Sequence, residues 1–251
     1  LRALQNDPRV ADITPDNVLW AFGKGGGNKP APQPEPPEVV PNGVARIGAA
    51  PGTLSVSGAG VGVAVLDTGL DFSHADLQPL GTASCTAYSK SALDDNGHGT
   101  HVGGIIAARD NDIDVVGVAP NATLYAVKVL DRTGTGSDSA VIAGLNWVVA
   151  NASAVTPPIR VVNMSLGRGA SANDSAMHTA VANVVAAGIT VVVSAGNEAS
   201  MDVADMVPAG FPEVIAVASS TAKDGTGNST YGYILADTAS FFTTDGAGIT
   251  I

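Results

Sequence analysis

Cysteine is almost absent: Cys85 is the single one in 251 residues, so neither an internal disulfide framework nor a multi-thiolate zinc site can be built. Basic residues are scarce too. Twelve Lys and Arg stand against twenty-three Asp and Glu, a net charge of −11, and a field of that sign repels nucleic acid and anionic membrane surfaces. No apolar run approaches the ~18 residues of a membrane-spanning helix. Neither nucleic acid nor membrane is therefore expected as a partner. The chain opens on Leu1 without a charged start and apolar h-region, and it closes on the apolar run GAGITI. The expectation is a fragment at both ends, with any targeting segment upstream.

What is present falls into three zones. Residues 1–22 mix a short helical pattern with a strand-like VADI at 10–13, too little for an independent core. Residues 23–38, GKGGGNKPAPQPEPPE, combine glycines with proline at alternate positions; such a stretch buries nothing and reads as an exposed linker open to proteolytic nicking. From residue 39 to 251, short Val-rich runs at 62–66, 124–130, 160–166, 189–195 and 214–218 alternate with helical stretches at 98–108, 137–154 and 173–187. Runs that are apolar throughout suit strands buried on both faces. Their alternation with helices predicts an α/β fold, a doubly wound, mostly parallel sheet with helices on both faces. In such sheets a site forms at the carboxyl ends of the strands.

Several polar residues stand at those ends. Asp67 follows the run GVAVL directly and precedes Thr68-Gly69; an isolated D-T-G serves equally as an Asx-turn or cap. His98 has a glycine on each side at a helix start, and His101 follows three residues on. A lone helical histidine is commonly a packed or surface residue. The zinc pattern H-E-x-x-H needs i, i+4 spacing and a glutamate, and neither is present. Asn197 ends VVVSAGN with a glycine before it, which suits either a turn or a neutral donor to a developing oxyanion. Ser165-Leu166-Gly167 ends another strand, and Gly134-Thr135-Gly136 follows YAVKVL.

Taken in order, VAVLDTGLDFSHADL, NGHGTHVGG, VVGVAPNATLYAVKVLDRTGTGS, NMSLG and VVVSAGN resemble the successive signatures of the subtilisin-like serine endopeptidases, over residues 39–251. The resemblance implies that Asp67 orients His98, that His98 is general base and then general acid, and that Asn197 is the side-chain oxyanion donor. His101 would be structural. Ser165, Leu166 and Gly167 with Ser194, Ala195 and Gly196 would line the pocket for the side chain before the scissile bond. Gly134, Thr135 and Gly136 would pair with substrate backbone as an added strand. Asp76 and the loop 109–115 resemble the family's calcium site, with side chains of Asp76 and Asn111 and carbonyls of Arg109, Ile113 and Val115 as hard oxygen ligands for Ca2+. Asp114 stands where the family has glycine, and aspartate tolerates the left-handed conformation that position needs. The bland reading is an acidic surface loop, and Glu38 is not counted among the ligands.

Residues 1–22 resemble the closing part of the family's inhibitory propeptide, which implies a secreted zymogen, monomeric, acting on polypeptide substrates, inhibited by its own propeptide and cut within or near residues 23–38. A nucleophile is missing. The family's G-T-S-M-A-like motif does not occur, and Ser200, Ser219, Ser220, Ser229 and Ser240 lack the turn and helix that activate a hydroxyl. The expectation is that the serine lies beyond Ile251, that the catalytic domain is incomplete at its C-terminal end, and that this chain alone has little or no turnover. The rival readings are a non-catalytic peptide-binding homologue and an unrelated calcium-binding adhesion module. His74 reads as a loop-ordering residue, His178 as a polar-face residue, and Asn121, Asn151 and Asn163 as weak glycosylation matches.

Overall fold

The structure, a computed structural model, describes residue 4 and residues 7–23, 36–77, 79–84, 90–221 and 235–251. Its strands are β1 (Val18–Ala21), β2 (Gly62–Asp67), β3 (Pro79–Ser84), β4 (Thr123–Lys128), β5 (Thr135–Ser137), β6 (Ile159–Met164), β7 (Leu166–Gly169), β8 (Thr190–Ser194), β9 (Met206–Val207) and β10 (Ile215–Val217). Helices α1 (Asn42–Arg46), α2 (His98–Ala107), α3 (Asp138–Asn151) and α4 (Ser175–Ala186) lie between them. Of the proposed linker, residues 24–35 lie outside the described residues, as do Cys85 and Ser229.

The main sheet has the order β10-β8-β6-β2-β4-β3 and every pair in it is parallel. The order reverses at β2, whose following strands β3 and β4 lie to one side and β6 to the other. β2 is buried along its whole length, and its alternate residues feed two cores. Val63 and Val65 join Leu124 and Ala126 under Val102 and Ala107 of α2. Ala64 and Leu66 join Tyr125 and Val127 under Val141, Leu145 and Val148 of α3 and Val181 and Val184 of α4. The strands are apolar throughout because both faces are covered, and the helices sit on both faces, as the sequence predicts.

Local chemistry sets the helix ends. α3 begins where Ser137 Oγ accepts from Ala140 N at 3.3 Å, with Asp138 in the first turn. α4 ends where Gly188 takes φ 78°; that left-handed residue lets Ile189 N reach Val184 O at 3.3 Å, a Schellman-type closure. The run predicted as one strand over 160–166 is broken at Ser165, with β6 in the main sheet and β7 in a second one. Ser165 turns its carbonyl to Phe22 N, at 3.1 Å, instead of continuing the ladder.

The second sheet has the order β5-β1-β7-β9 and is antiparallel. Of its two inner strands, β1 belongs to the N-terminal segment. The strand expected at 10–13 is unpaired; the pairing falls at 18–21, because only there does the segment lie between two open edges. Before β1 the segment is fastened by carboxylates. Asp16 accepts from Ser139 N and Ser139 Oγ, both at 2.8 Å, in the first turn of α3. Asp12 accepts from Ser175 Oγ and Asn173 Nδ2 where α4 begins. Asn17 Nδ2 donates at 3.1 Å to Asp138, which is itself paired with buried Arg168 at 2.7 Å.

Leu145 is fully buried on the sheet-facing side of α3. Leu145→Ala should lower unfolding free energy by about 2–5 kcal/mol, the range for emptying such a site, measured by urea denaturation. A loss well below 1 kcal/mol would contradict the packing of α3 on the sheet.

Candidate active site

Asp67 ends β2, fully buried, and His98 opens α2 with 7% of its surface exposed. His98 Nδ1 lies 2.8 Å from Asp67 Oδ1, which also accepts from Thr68 N at 2.7 Å. Asp67 Oδ2 is buried without a hydrogen-bond partner among the described residues. The other ring nitrogen, His98 Nε2, lies 3.2 Å from the carbonyl oxygen of Phe22. Both partners of the ring are acceptors, so the ring satisfies both only as imidazolium, donating from each nitrogen. Its pKa is accordingly raised. Burial pulls it down, and the hydrogen bond and charge of Asp67, the Phe22 carbonyl and the charge of Asp94 outweigh that.

The Phe22 carbonyl reaches His98 because β1 runs between the two segments that the resemblance assigns to substrate. Trp20 stands opposite Thr135 and Leu19 opposite Gly136 on one side; Trp20 stands opposite Gly167 and Ala21 opposite Leu166 on the other. Ala21 N donates to Gly134 O at 2.9 Å and Phe22 N to Ser165 O at 3.1 Å. Leu19 is fully buried in the main core, while Trp20 is exposed. The Phe22 ring lies against two glycines. A methyl at Gly167 would come within 2.8 Å of the ring, and one at Gly196 within 3.6 Å. Any larger residue at 167 would evict the ring.

The other named residues are placed less decisively. Ala195 is buried; Ser194 Oγ is buried without a partner; Asn197 stands exposed on the turn after β8. The Phe22 oxygen is bonded to His98 and not to the Asn197 amide. Ser219 Oγ and Ser240 Oγ bond each other at 2.7 Å, and among the described residues no serine hydroxyl bonds the His98 ring. His101 is exposed. His74 orders its loop as expected, Nδ1 accepting from Asp76 N at 3.3 Å. His178 bonds Glu213 at 3.0 Å and packs on Phe211.

At the acidic loop, Asp76 is buried with Oδ2 unpartnered. Its pKa is raised, by burial first and by the charge of Asp114, against hydrogen bonds from Val115, Asn111 and Arg109. Asp76 Oδ1 accepts from Asn111 Nδ2 at 3.0 Å and from Arg109 N at 3.2 Å. Asp114 takes φ 53°, the left-handed conformation expected of it. Glu38, left out of the sequence-based set, reaches the loop, accepting from Asn111 N at 2.9 Å. Among the described residues no three His, Cys, Asp or Glu side chains converge on a metal position, so a cation here would depend on amide and carbonyl oxygens. The donor set and the orphaned oxygen of Asp76 fit a hard cation such as Ca2+.

The family model described as the Subtilase family matches residues 58–248. The chain belongs to that family. It is 39% identical to subtilisin E of Bacillus subtilis (strain 168) over 221 residues, covering 86% of this chain and 52% of the relative. It is 43% identical to a subtilisin of Bacillus pumilus over 182 residues, 71% of this chain and 63% of that one. With the thermostable alkaline protease of Halalkalibacterium halodurans it shares 46% identity over 164 residues, 65% and 42% of the two chains. The subtilase chain thus spans about half the length of the curated relatives it matches. Sequence reading named Asp67 and His98 but missed Phe22, Thr68 and Asp94; an aromatic residue just before a glycine-rich linker was the available signal for Phe22.

A histidine with a raised folded pKa stabilises the fold fully below its ordinary value of 6.5, and that contribution is lost as pH rises through the folded pKa. The thermal midpoint should therefore fall as pH rises above about 6.5, and His98→Gln should flatten that step. An unchanged slope in the variant would assign it to other groups.

Proposed function

We propose that the full-length subtilase is a serine endopeptidase made as a secreted, monomeric zymogen, in which the nucleophilic serine lies beyond Ile251. Asp67 orients His98 and stabilises its charged form, and His98 Nε2 takes the serine proton and returns it to the leaving amine. Asn197 donates to the oxyanion. Residues 134–136 and 165–167 bind polypeptide substrate as the two neighbours of an added strand, and residues 194–196 complete the pocket with them. The observation that carries this reading is the path of residues 18–22: an antiparallel strand between those two segments, ending with the Phe22 carbonyl 3.2 Å from His98 Nε2.

In this reading the N-terminal segment is the inhibitor. It fills the strand position and the aromatic pocket, and its carbonyl keeps Nε2 protonated, so His98 has no lone pair to accept a serine proton. The maturation cut is the Phe22–Gly23 bond, at the start of the glycine-rich stretch. A site at Asp76 and Asn111, with the carbonyls of Arg109, Ile113 and Val115, holds Ca2+ for stability. No described helix is long and apolar enough to cross a membrane.

Asp67→Asn in the full-length protein should lower kcat by about 10⁴-fold, the size seen when a triad aspartate is replaced, and the 251-residue chain should show no turnover of a peptide substrate. Full activity in D67N would end the triad assignment; turnover by the short chain would place the nucleophile inside it. N-terminal sequencing of the matured enzyme should begin at Gly23. A full-length protein that binds peptide without cleaving it would instead be a regulatory homologue. A strong chelator should lower the melting temperature of the folded protein, with recovery on adding Ca2+ and no such response in Asp76→Asn; a chelator-insensitive midpoint would remove the metal.

A further inference from the structure

The peptidase reading leaves one carboxylate beside His98 unused. Asp94 Oδ1 accepts from Thr68 Oγ1 at 2.9 Å, Asn96 N at 3.0 Å and Gly97 N at 2.9 Å. Its Oδ2 accepts from Thr100 N at 2.9 Å and Thr100 Oγ1 at 2.5 Å. These donors come from two different elements. Thr68 follows Asp67 directly, on the loop leaving β2, whereas Gly97 and Thr100 flank His98 in the first turn of α2. The link is doubled, because Thr68 Oγ1 accepts in turn from Gly99 N at 2.9 Å and Thr100 Oγ1 from Asp71 N at 3.0 Å.

The cap residue of α2 does not fix this end by itself. That residue, Gly97, is left-handed with no side-chain bond, and the first turn of the helix holds no acidic residue. Asn96 Oδ1 takes His98 N at 3.1 Å and Thr68 Oγ1 takes Gly99 N; Gly97 N and Thr100 N are the donors left for Asp94. Asp94 supplies the missing carboxylate from outside, where the positive end of the helix favours a negative charge. Its own pKa is held low: burial opposes that and the bonds from Gly97, Thr100 and Asn96 outweigh it. From the other side Lys128, buried at the end of β4, donates to Thr68 O at 2.5 Å and to Asp95 at 2.7 Å, so Thr68 is held through its hydroxyl on one side and its carbonyl on the other.

We propose that Asp94 is the positioning residue that holds Asp67 and His98 at hydrogen-bonding distance, by tying the end of β2 to the start of α2. Its catalytic meaning rests on the peptidase reading; its geometry does not. Asp94 touches neither the ring nor a substrate, and it acts through Thr68 and the helix start. The charged groups facing the His98 ring are Asp67, bonded to it, and Asp94, through space. Removing the Asp94 charge should therefore also lower the pH at which the ring titrates.

Two kinds of measurement separate the possibilities. In the 251-residue chain, imidazole NMR titrations and the far-downfield Nδ1 proton of His98 are compared for wild type, Asp94→Asn, Thr68→Val and Glu213→Gln. D94N should lower the His98 titration and weaken or lose the Nδ1 signal, and T68V should weaken that signal while keeping the charge. E213Q, whose carboxylate bonds His178 instead, should leave both His98 readouts unchanged. In the full-length protein D94N should lower kcat by up to about 10²-fold, the cost of a small misplacement, with KM little changed. An unchanged Nδ1 signal in folded D94N, or in T68V where D94N does not fold, overturns the proposal. Altered signals in a full-length protein without peptidase activity would leave Asp94 as the positioning residue and remove the peptidase reading.

Discussion

A 2.8 Å hydrogen bond between the last residue of a strand and the first residue of a helix is the constraint on which the rest of this site depends. Asp67 is fully buried, and an ionised carboxylate in that position is tolerable only when charge and hydrogen bonds answer it. Thr68 N and His98 Nδ1 both do so at the same oxygen. Strand β2 cannot shift to accommodate an error, because it is paired on both edges and packed on both faces. The helix must therefore be brought to the strand, which explains why so much side-chain hydrogen bonding is concentrated between residues 67 and 100.

The same ring links the buried carboxylate to the N-terminal segment. With an acceptor at each nitrogen, His98 favours the protonated form for as long as the segment is docked. Taking the Phe22 carbonyl away removes one reason for the second proton and leaves Nε2 able to lose it. The dock and the ring are thus coupled through one proton: whatever strengthens the Phe22 contact disfavours the neutral imidazole, and the reverse holds by linkage. At the other end of the segment Asp12 works with the opposite sign. Asp12 has a lowered pKa, from its bonds to Ser175, Ile13 and Asn173, so its contribution is present above the ordinary carboxylate range and is lost in acid.

The sheet was legible because its strands are covered twice. Runs such as GVAVL and TVVVS carry no polar face, and glycine or polar turns mark where they stop, so the carboxyl-end positions of Asp67 and Ser194 follow from counting. β1 was not legible. VLWA and VADI, eight residues earlier, are both four-residue runs that open on valine, and the choice between them is made by partners more than a hundred residues away, at 135–137 and 166–167. Propensity carries little weight when an edge of that kind is available. Asp94 was hidden for a related reason. It sits in the visible motif DDNGHGTH, but its role depends on Thr68, which the chain reaches only by folding back across β2 and α2.

The segment before β1 shows how a short piece with no core of its own acquires a fixed place. It contributes one large buried side chain, Leu19, to the main core; it contributes backbone to two open strand edges; and with Asp16 and Asp12 it supplies carboxylates to the starts of two helices whose first-turn donors need acceptors. Each is a service the remainder of the fold lacks when the segment is absent, because β5 and β7 then face each other across a gap too wide for direct pairing. Occupation of that gap by one strand forces the next residue's carbonyl onto the His98 ring. Docking and protonation of the His98 ring are consequently one geometric event, set by strand register: moving the segment by a single residue would turn Leu19 out of the core and withdraw Phe22 from between Gly167 and Gly196 at the same time.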